Sequence, residues 1–333
     1  MRNKYLLFFL FLMIFSCTKD ENPIVEINTK LGKIHWWMYQ LQGFEDENAL
    51  IELSQTEYEL LVIEPGDDFK EEPYNTKYML NRLRKTPSGK TRLIFAYINI
   101  GEAEDYRSYW GNNWTIGSPN FLISSDPDGW SGNYPVAYWK QEWKNIWIGD
   151  SNRIQKLVDL GFDGVYLDWV EAYDDEKTRN TAVSQNINPE LEMLNFIQEI
   201  KNTGKAKNAN FMVIAQNAPY LIDYDAGKYK SAIDAIALED TWFHGKADAS
   251  WYDPLAGDIP NADANESSTM GKLKQCKKLL DNNIPVFTVD YCVSRENADG
   301  VYEEAARNGL KSLVTRVSLS KNTETPPLNM NVK

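Results

Sequence analysis

The sequence predicts a single (β/α)8, or TIM, barrel, and three observations carry that prediction. Eight short β-rich runs recur from about residue 34 onward, helical patterns separate the later ones, and no repeat, low-complexity linker or second-domain boundary interrupts the series. An open doubly wound sheet is the competing arrangement. No G-x-G-x-x-G or phosphate-binding loop follows any run, so the nucleotide-binding forms of that sheet have no support.

In chain order the runs are HWWMYQLQ from His35, ELLVIEP from Glu59, RLIFAYINIG from Arg92, GFDGVYLDW from Gly161, FMVIAQNA from Phe211, AIDAIALED from Ala232, PVFTVDY from Pro285 and SLVTRVSL from Ser312. Each is dominated by β-branched, aromatic or other apolar residues, the pattern of a strand covered on both faces. The helical candidates between the later runs are SNRIQKLVDL, NPELEMLNFIQEIKNTG, GKLKQCKKLLDNN and NADGVYEEAARNGL. Asn188 with Pro189 reads as an N-cap and first-turn pair, and Gly204 as a C-cap. Two connections are long: Glu102 to about Asp150 after the third strand, and Asp240 to about Met270 after the sixth. Long loops in a compact domain are usually functional, and both leave the strand ends where barrel active sites lie. The barrel domain is expected over residues 34–320, followed by a polar, Pro-rich tail, 321–333, that should fray.

The start of the chain reads as targeting rather than fold. Arg2 and Lys4 precede an apolar run from Tyr5 to Phe15, too short to span a bilayer comfortably, and Ser16 then precedes Cys17. IFSC has the form of a bacterial lipobox. The expectation is a signal peptide over residues 1–16, lipidation of Cys17, and a polar tether over 17–33 that leaves the protein at the cell envelope, at the outer membrane or cell surface. The other two cysteines, Cys276 and Cys292, are not in a C-x-x-C spacing and are expected to be unpaired. With only His35 and His244, a His-rich zinc site has little support. The net charge of -13 argues against a nucleic-acid binder, which would normally be basic.

The fourth and sixth runs end in acids. Alternate side chains of a strand share a face. If Val165 and Leu167 face the helices, Asp168 points into the barrel mouth; the same reasoning on AIDAIALED sends Glu239 there. Neighbouring strand ends supply Glu64, Glu102, Gln216, Asn217, Asp290 and Tyr291. Acids crowded in a partly dry cleft cannot all ionise, so at least one pKa should rise. One protonated and one ionised carboxyl is the pair that glycosidic cleavage uses, with retention at a separation of about 5 Å and inversion at a wider one. For Glu64 and Glu171 a capping or ion-pair role is at least as strong a reading. The same oxygen-rich rim would also suit a hard cation such as magnesium. Aromatic residues crowd the two long segments. Trp139, Trp143 and Trp147 recur every four residues, the stripe of a core-facing helix, whereas Trp110, Trp114 and Trp130 look loop-borne and able to stack on a sugar.

AYINIGEAEDYRSYW, GFDGVYLDWVEAY, YQLQGF and ALEDTWF together resemble glycoside hydrolase family 114, the endo-α-1,4-polygalactosaminidase family, over most of the chain. The resemblance implies a (β/α)8 fold and hydrolysis of an α-linked, galactosamine-containing polymer. It also implies Asp168 as nucleophile and Glu239 as acid/base, the pair that strand parity reaches. Trp169 stands where relatives often carry Arg, and the segment after Asp240 looks particular to this branch. The resulting expectation is a two-carboxylate, retaining glycosidase that needs no cofactor or metal. Its substrate is a polysaccharide or oligosaccharide, contacted by Tyr39, Gln40, Glu102, Asn217 and Asp290, with Trp110 as a stacking platform. A carbohydrate-binding lipoprotein without catalysis is the first alternative, and a metal-dependent hydrolase using the acid cluster is the second.

Overall fold

The computed structural model describes residues 27–66 and 75–330; the expected signal peptide, Cys17 and most of the tether lie outside the described residues. The central sheet has eight parallel strands in chain order: β1 (Trp37–Gln40), β2 (Leu60–Ile63), β3 (Leu93–Asn99), β4 (Gly164–Asp168), β5 (Met212–Gln216), β6 (Ala235–Glu239), β7 (Val286–Tyr291) and β8 (Lys311–Thr315). All eight predicted runs are therefore strands, each trimmed to its apolar centre. The ring closes between β8 and β1 through side chains and flanking backbone. Trp37 Nε1 donates to the Lys311 carbonyl at 2.9 Å, Lys311 Nζ to the Ile34 carbonyl at 2.6 Å, and the Leu41 N–H to the Leu319 carbonyl at 2.9 Å.

The barrel interior is filled by aromatic rings. Tyr39 lies 5.0 Å from Tyr166 and 6.3 Å from Tyr97 between centroids, and Trp37 meets Phe287 edge-on at 5.4 Å. Rings in these tilted arrangements fill volume without voids and add about 0.5–1.5 kcal/mol per pair beyond their area. They form an apolar floor on which the polar mouth rests.

The helices cover the outside. Those at Arg153–Leu160, Pro189–Lys207, Thr269–Asp281 and Arg295–Arg307 match the predicted ones. Asn188 caps the second of these, accepting from the Leu191 N–H, with Pro189 in the first turn. Gly204 is not the C-cap: the helix runs on to Lys207, and a Cβ at 204 would stand 2.2 Å from the Phe211 ring. The glycine serves close helix–strand packing instead. Two short helices between the first three strands, Glu47–Ser54 and Thr76–Leu83, were not anticipated; Asp46 and Asn75 cap them. The tail does not fray as far as residue 330. Thr323 Oγ1 donates to the Val314 carbonyl, Glu324 pairs with Arg316, Tyr302 donates to the Thr325 carbonyl, and Met330 is buried. Short polar residues here find partners on β8 and the last helix, which composition alone does not reveal. Cys276 and Cys292 are buried and unpaired.

Arg92, fully buried at the opposite end from the acidic strand tips, ties the first two strand–helix units together. Nε donates to the Tyr58 carbonyl at 2.9 Å, Nη1 to those of Leu83 and Lys85 at 2.9 Å, and Nη2 to those of Ser54 and Thr56. Both helix C-termini thus end on one guanidinium, which satisfies carbonyls that helix geometry leaves free. Burial lowers its pKa only to about 10, so it stays charged at neutral pH. Arg92→Met should leave several buried carbonyls without a donor and lower the unfolding free energy by about 3 kcal/mol or more. Urea denaturation checks this; a loss below about 1 kcal/mol would mean that water replaces the guanidinium.

Candidate active site

The mouth of the barrel holds a cavity of about 730 Å³ at the C-terminal strand ends, with a second of about 620 Å³ beside it. Asp168 and Glu239 line the first, Glu239 both. Three consecutive strands end in the same way. Trp169, Asn217 and Asp240, the residues just past β4, β5 and β6, have φ of +53°, +54° and +53°. Left-handed backbone at a non-glycine residue costs about 1 kcal/mol or more and needs surrounding structure to hold it. Here it turns the chain sharply off each strand and leaves the last strand residue at the rim.

Each acid is gripped by a buried tyrosine from a neighbouring strand. Tyr97 of β3 donates to Asp168 Oδ2, and the Trp169 N–H donates to Oδ1 at 2.7 Å. Tyr291 of β7 donates to Glu239 Oε1 at 2.5 Å. Asn217 completes the hold on Glu239: Nδ2 donates to Oε2 at 3.0 Å, and Oδ1 accepts from the Glu239 N–H at 2.8 Å. Lys272, in the lining of the second cavity, donates from Nζ to the Glu239 and Asp240 carbonyls, both at 3.0 Å. Burial, and then the charge of Glu239, push the Asp168 pKa up to about 7, while the Tyr97 and Trp169 hydrogen bonds pull it down.

Around this pair the cavity is acidic. Its described lining carries eight carboxyl groups and one guanidinium, Arg107. Arg107 is spanned by two carboxylates. Nε donates to Glu104 Oε2 at 2.7 Å, Nη1 to Glu64 Oε1 at 2.6 Å, and Nη2 to the second oxygen of each. Glu64 is thus an ion-pair partner. Glu171 lines both cavities and is held well above its usual range by burial and by Asp168. Among the described residues, no group of three or more His, Cys, Asp or Glu side chains is placed to hold a metal ion.

Of the expected substrate contacts, Tyr39 lines the cavity floor and Glu102 its wall. Glu102 is almost wholly buried. Its Oε2 accepts from Asn99 and Asn133, and burial followed by Asp126 pushes its pKa up to about 9, so it is a neutral acid at pH 7. Asn217 lines the cavity with its amide committed to Glu239 at both ends. Three expectations are corrected. Gln40 is buried on the outer face of β1, its Nε2 donating to the Gln42 carbonyl. Asp290 is fully buried under the second long loop, accepting from the Trp242 and Phe243 N–H groups at 2.6 and 2.9 Å. Trp110 packs against Trp114 and Tyr134 away from the cavity; the tryptophans that line it are Trp130, 46% exposed, and Trp169. The sequence reading missed Tyr97, Glu104 and Arg107, and it named Trp130 among the loop-borne tryptophans but chose Trp110 as the platform. For Tyr97 the signal was present, since it shares parity with Asn99 on a strand beside β4.

An acidic mouth on a (β/α)8 barrel, with two tyrosine-held carboxylates on β4 and β6, defines a glycosidase-type site. Residues 37–330 match the sequence model of glycoside-hydrolase family GH114, and the chain belongs to that family; the protein is a glycoside hydrolase. It is 31% identical over 291 residues to an uncharacterized protein of Deinococcus radiodurans, covering 87% of this chain and 83% of that one. An uncharacterized protein of Methanocaldococcus jannaschii is 33% identical over 257 residues, 77% of this chain and 66% of that one. Two solved structures share the fold at a TM-score of 0.58. One is the glycoside hydrolase domain of PelA from Pseudomonas aeruginosa, 14% identical and covering 88% of this chain and 98% of that one. The other is Aspergillus fumigatus Ega3 in complex with galactosamine, 15% identical and covering 91% and 96%.

Tyr97→Phe should remove a donor that favours ionised Asp168. The Asp168 carboxyl, followed by NMR of 13C-labelled aspartate, should titrate near pH 7 in the wild type and about one unit higher in the variant. An unmoved midpoint would show that the tyrosine does not set the charge.

Proposed function

We propose that the protein cleaves an α-linked, galactosamine-containing polysaccharide with retention of configuration, using Asp168 as nucleophile and Glu239 as acid/base. The observation that carries this reading is the pairing of two fixed carboxylates, on β4 and β6, in a cavity whose lining has eight acids against one guanidinium. A neutral sugar gains nothing from such a lining, whereas a sugar carrying a free amine is a cation at neutral pH and offsets the repulsion among the acids. Galactosamine bound to Ega3, a protein of the same fold, is consistent with that substrate class.

The chemistry follows from the groups in place. Asp168 attacks the anomeric carbon while Glu239 gives its proton to the leaving glycosidic oxygen, so the glycosidic bond breaks as an ester to Asp168 forms. Glu239, now ionised, takes a proton from water; the water oxygen attacks the same carbon and Asp168 leaves. Two inversions give net retention, and both carboxyls return to their starting states. Because bond cleavage needs one proton on the pair, and the pKa of about 7 is that of a proton added beside the other acid's charge, turnover should be present below about pH 7 and fall as pH rises through it.

Asp168→Asn should abolish turnover of de-N-acetylated α-1,4-galactosamine polymer, and Glu239→Gln should lower it by about 10²–10⁴-fold, with products read by mass spectrometry and the fold checked by circular dichroism. Appreciable turnover by folded Asp168→Asn would sink the assignment. Wild-type protein that binds the polymer without cleaving it would make this a carbohydrate-binding protein. We further propose that Cys17 carries a lipid holding the enzyme at the cell envelope. Radiolabelled palmitate should enter the wild type and not Cys17→Ser, and equal labelling would refute the anchor.

A further inference from the structure

Glu102 borders the first cavity with only 1% of its surface exposed, so its carboxyl is engaged chiefly with the fold. Oε2 accepts from Asn99 Nδ2 at 3.1 Å and from Asn133 Nδ2 at 3.2 Å. A second acid reaches the same place from the long segment after β3. The Asp126 N–H donates to the Asn133 carbonyl at 3.0 Å, and Asp126 Oδ2 accepts from the Trp130 N–H at 2.6 Å. Asn133 thus touches both acids, one through its side chain and the other through its carbonyl. One oxygen of each acid is left over, Glu102 Oε1 and Asp126 Oδ1; both are buried, and no N–H or hydroxyl reaches either. The two side chains hydrogen-bond to each other. A pair of ionised carboxylates has no hydrogen with which to do so, so one of the two carries a proton. Burial makes Glu102 the acid of the pair.

We propose that Glu102 and Asp126 are positioning residues joined by one shared proton, a clasp that holds residues 126–130 over the mouth and so places Trp130 and Asp128 in the substrate cavity. Asp126 closes the turn that ends at Trp130, so a displacement of Asp126 carries Trp130 with it. Asp128 lies within that turn and lines both cavities; it accepts from the Trp169 side chain, next to Asp168. The clasp therefore ties the cavity rim to the end of β4. Hydrogen bonds from a protonated to an ionised carboxyl are among the strong ones, and they fail once the proton is gone. Burial and then Asp126 push the Glu102 pKa up to about 9; Asp168 of β4 acts in the same sense, and the Asn99 amide opposes it. The clasp is intact below about pH 9. As pH rises through that value hydroxide removes the proton and leaves two carboxylates facing one another.

The test uses wild-type, Glu102→Gln and Asp126→Ala proteins, each also carrying Trp130→Phe in a second version, with thermal melts to confirm folding. Trp130 emission is the difference between each protein and its Trp130→Phe counterpart. In the wild type it should shift as pH rises through about 9. Glu102→Gln should show no shift, because its amide donates to Asp126 at any pH while its carbonyl accepts from the two asparagines. Asp126→Ala should already have the high-pH emission at neutral pH. On de-N-acetylated α-1,4-galactosamine oligomers at about pH 6, Asp126→Ala should raise KM about tenfold with little change in kcat, and Glu102→Gln should restore a KM near that of the wild type. A wild-type emission profile identical to that of Glu102→Gln, or an Asp126→Ala protein that loses kcat at unchanged KM, overturns the proposal. If Asp126→Ala does not fold, the comparison of wild type with Glu102→Gln decides. The kinetic readout rests on the proposed hydrolysis. Should the wild type cleave nothing, that reading fails, and the emission profiles alone uphold or refute the clasp.

Discussion

Acids packed side by side over an apolar floor repel one another and lose hydration, and the barrel mouth is organised around offsetting that cost. Aromatic rings of Trp37, Tyr39 and Tyr166 fill the barrel interior beneath the rim, so the carboxylates stand over packed rings. Relief comes from the sides. Tyr97 and Tyr291 donate to Asp168 and Glu239, Arg107 neutralises Glu64 and Glu104, and Lys272 draws on the carbonyls at the end of β6. What is not relieved is visible as raised pKa values at Asp168, Glu102 and Glu171. A net repulsion left in an empty cavity is an attraction for whatever cation enters it.

The barrel was legible because its strands are continuous apolar runs, and the central acids were legible because alternation along a strand has a fixed period. The same rule, carried through, would have removed two wrong contacts. Trp37 and Tyr39 face inward, which sends Gln40 to the outer face; Phe287 and Tyr291 face inward, which sends Asp290 there too. Strand parity was sound for β4 and β6 and was not carried through to β1 and β7. On β5 it distinguishes the inward Gln216 from Asn217, whose left-handed backbone brings its amide back against Glu239.

The long segments obey no such period, and there the sequence was mute. Glu102–Glu104 pairs with Asn133–Pro135 as a hairpin folded over the mouth, and Gly101 permits this by lying where a Cβ would stand 2.1 Å from the Trp169 carbonyl. Which tryptophan of that segment reaches the cavity depends on how the hairpin folds back, not on composition; Trp110 was drawn into the aromatic packing and Trp130 was left at the rim. Gly204 and the C-terminal tail misled for a related reason. A glycine or a polar stretch has a local meaning and a packing meaning, and only the fold decides between them.

The three left-handed residues past β4, β5 and β6 bear on how such an enzyme could be made hardier. Each is a non-glycine in a backbone conformation that glycine adopts at little cost, so Trp169, Asn217 and Asp240 are positions where glycine would ease local strain. The easing would loosen the turns that hold the two acids at a fixed bearing. Selection for heat tolerance alone would find gains at this rim and lose catalysis by taking them, so a durable catalyst of this type is better sought by altering the outer helices.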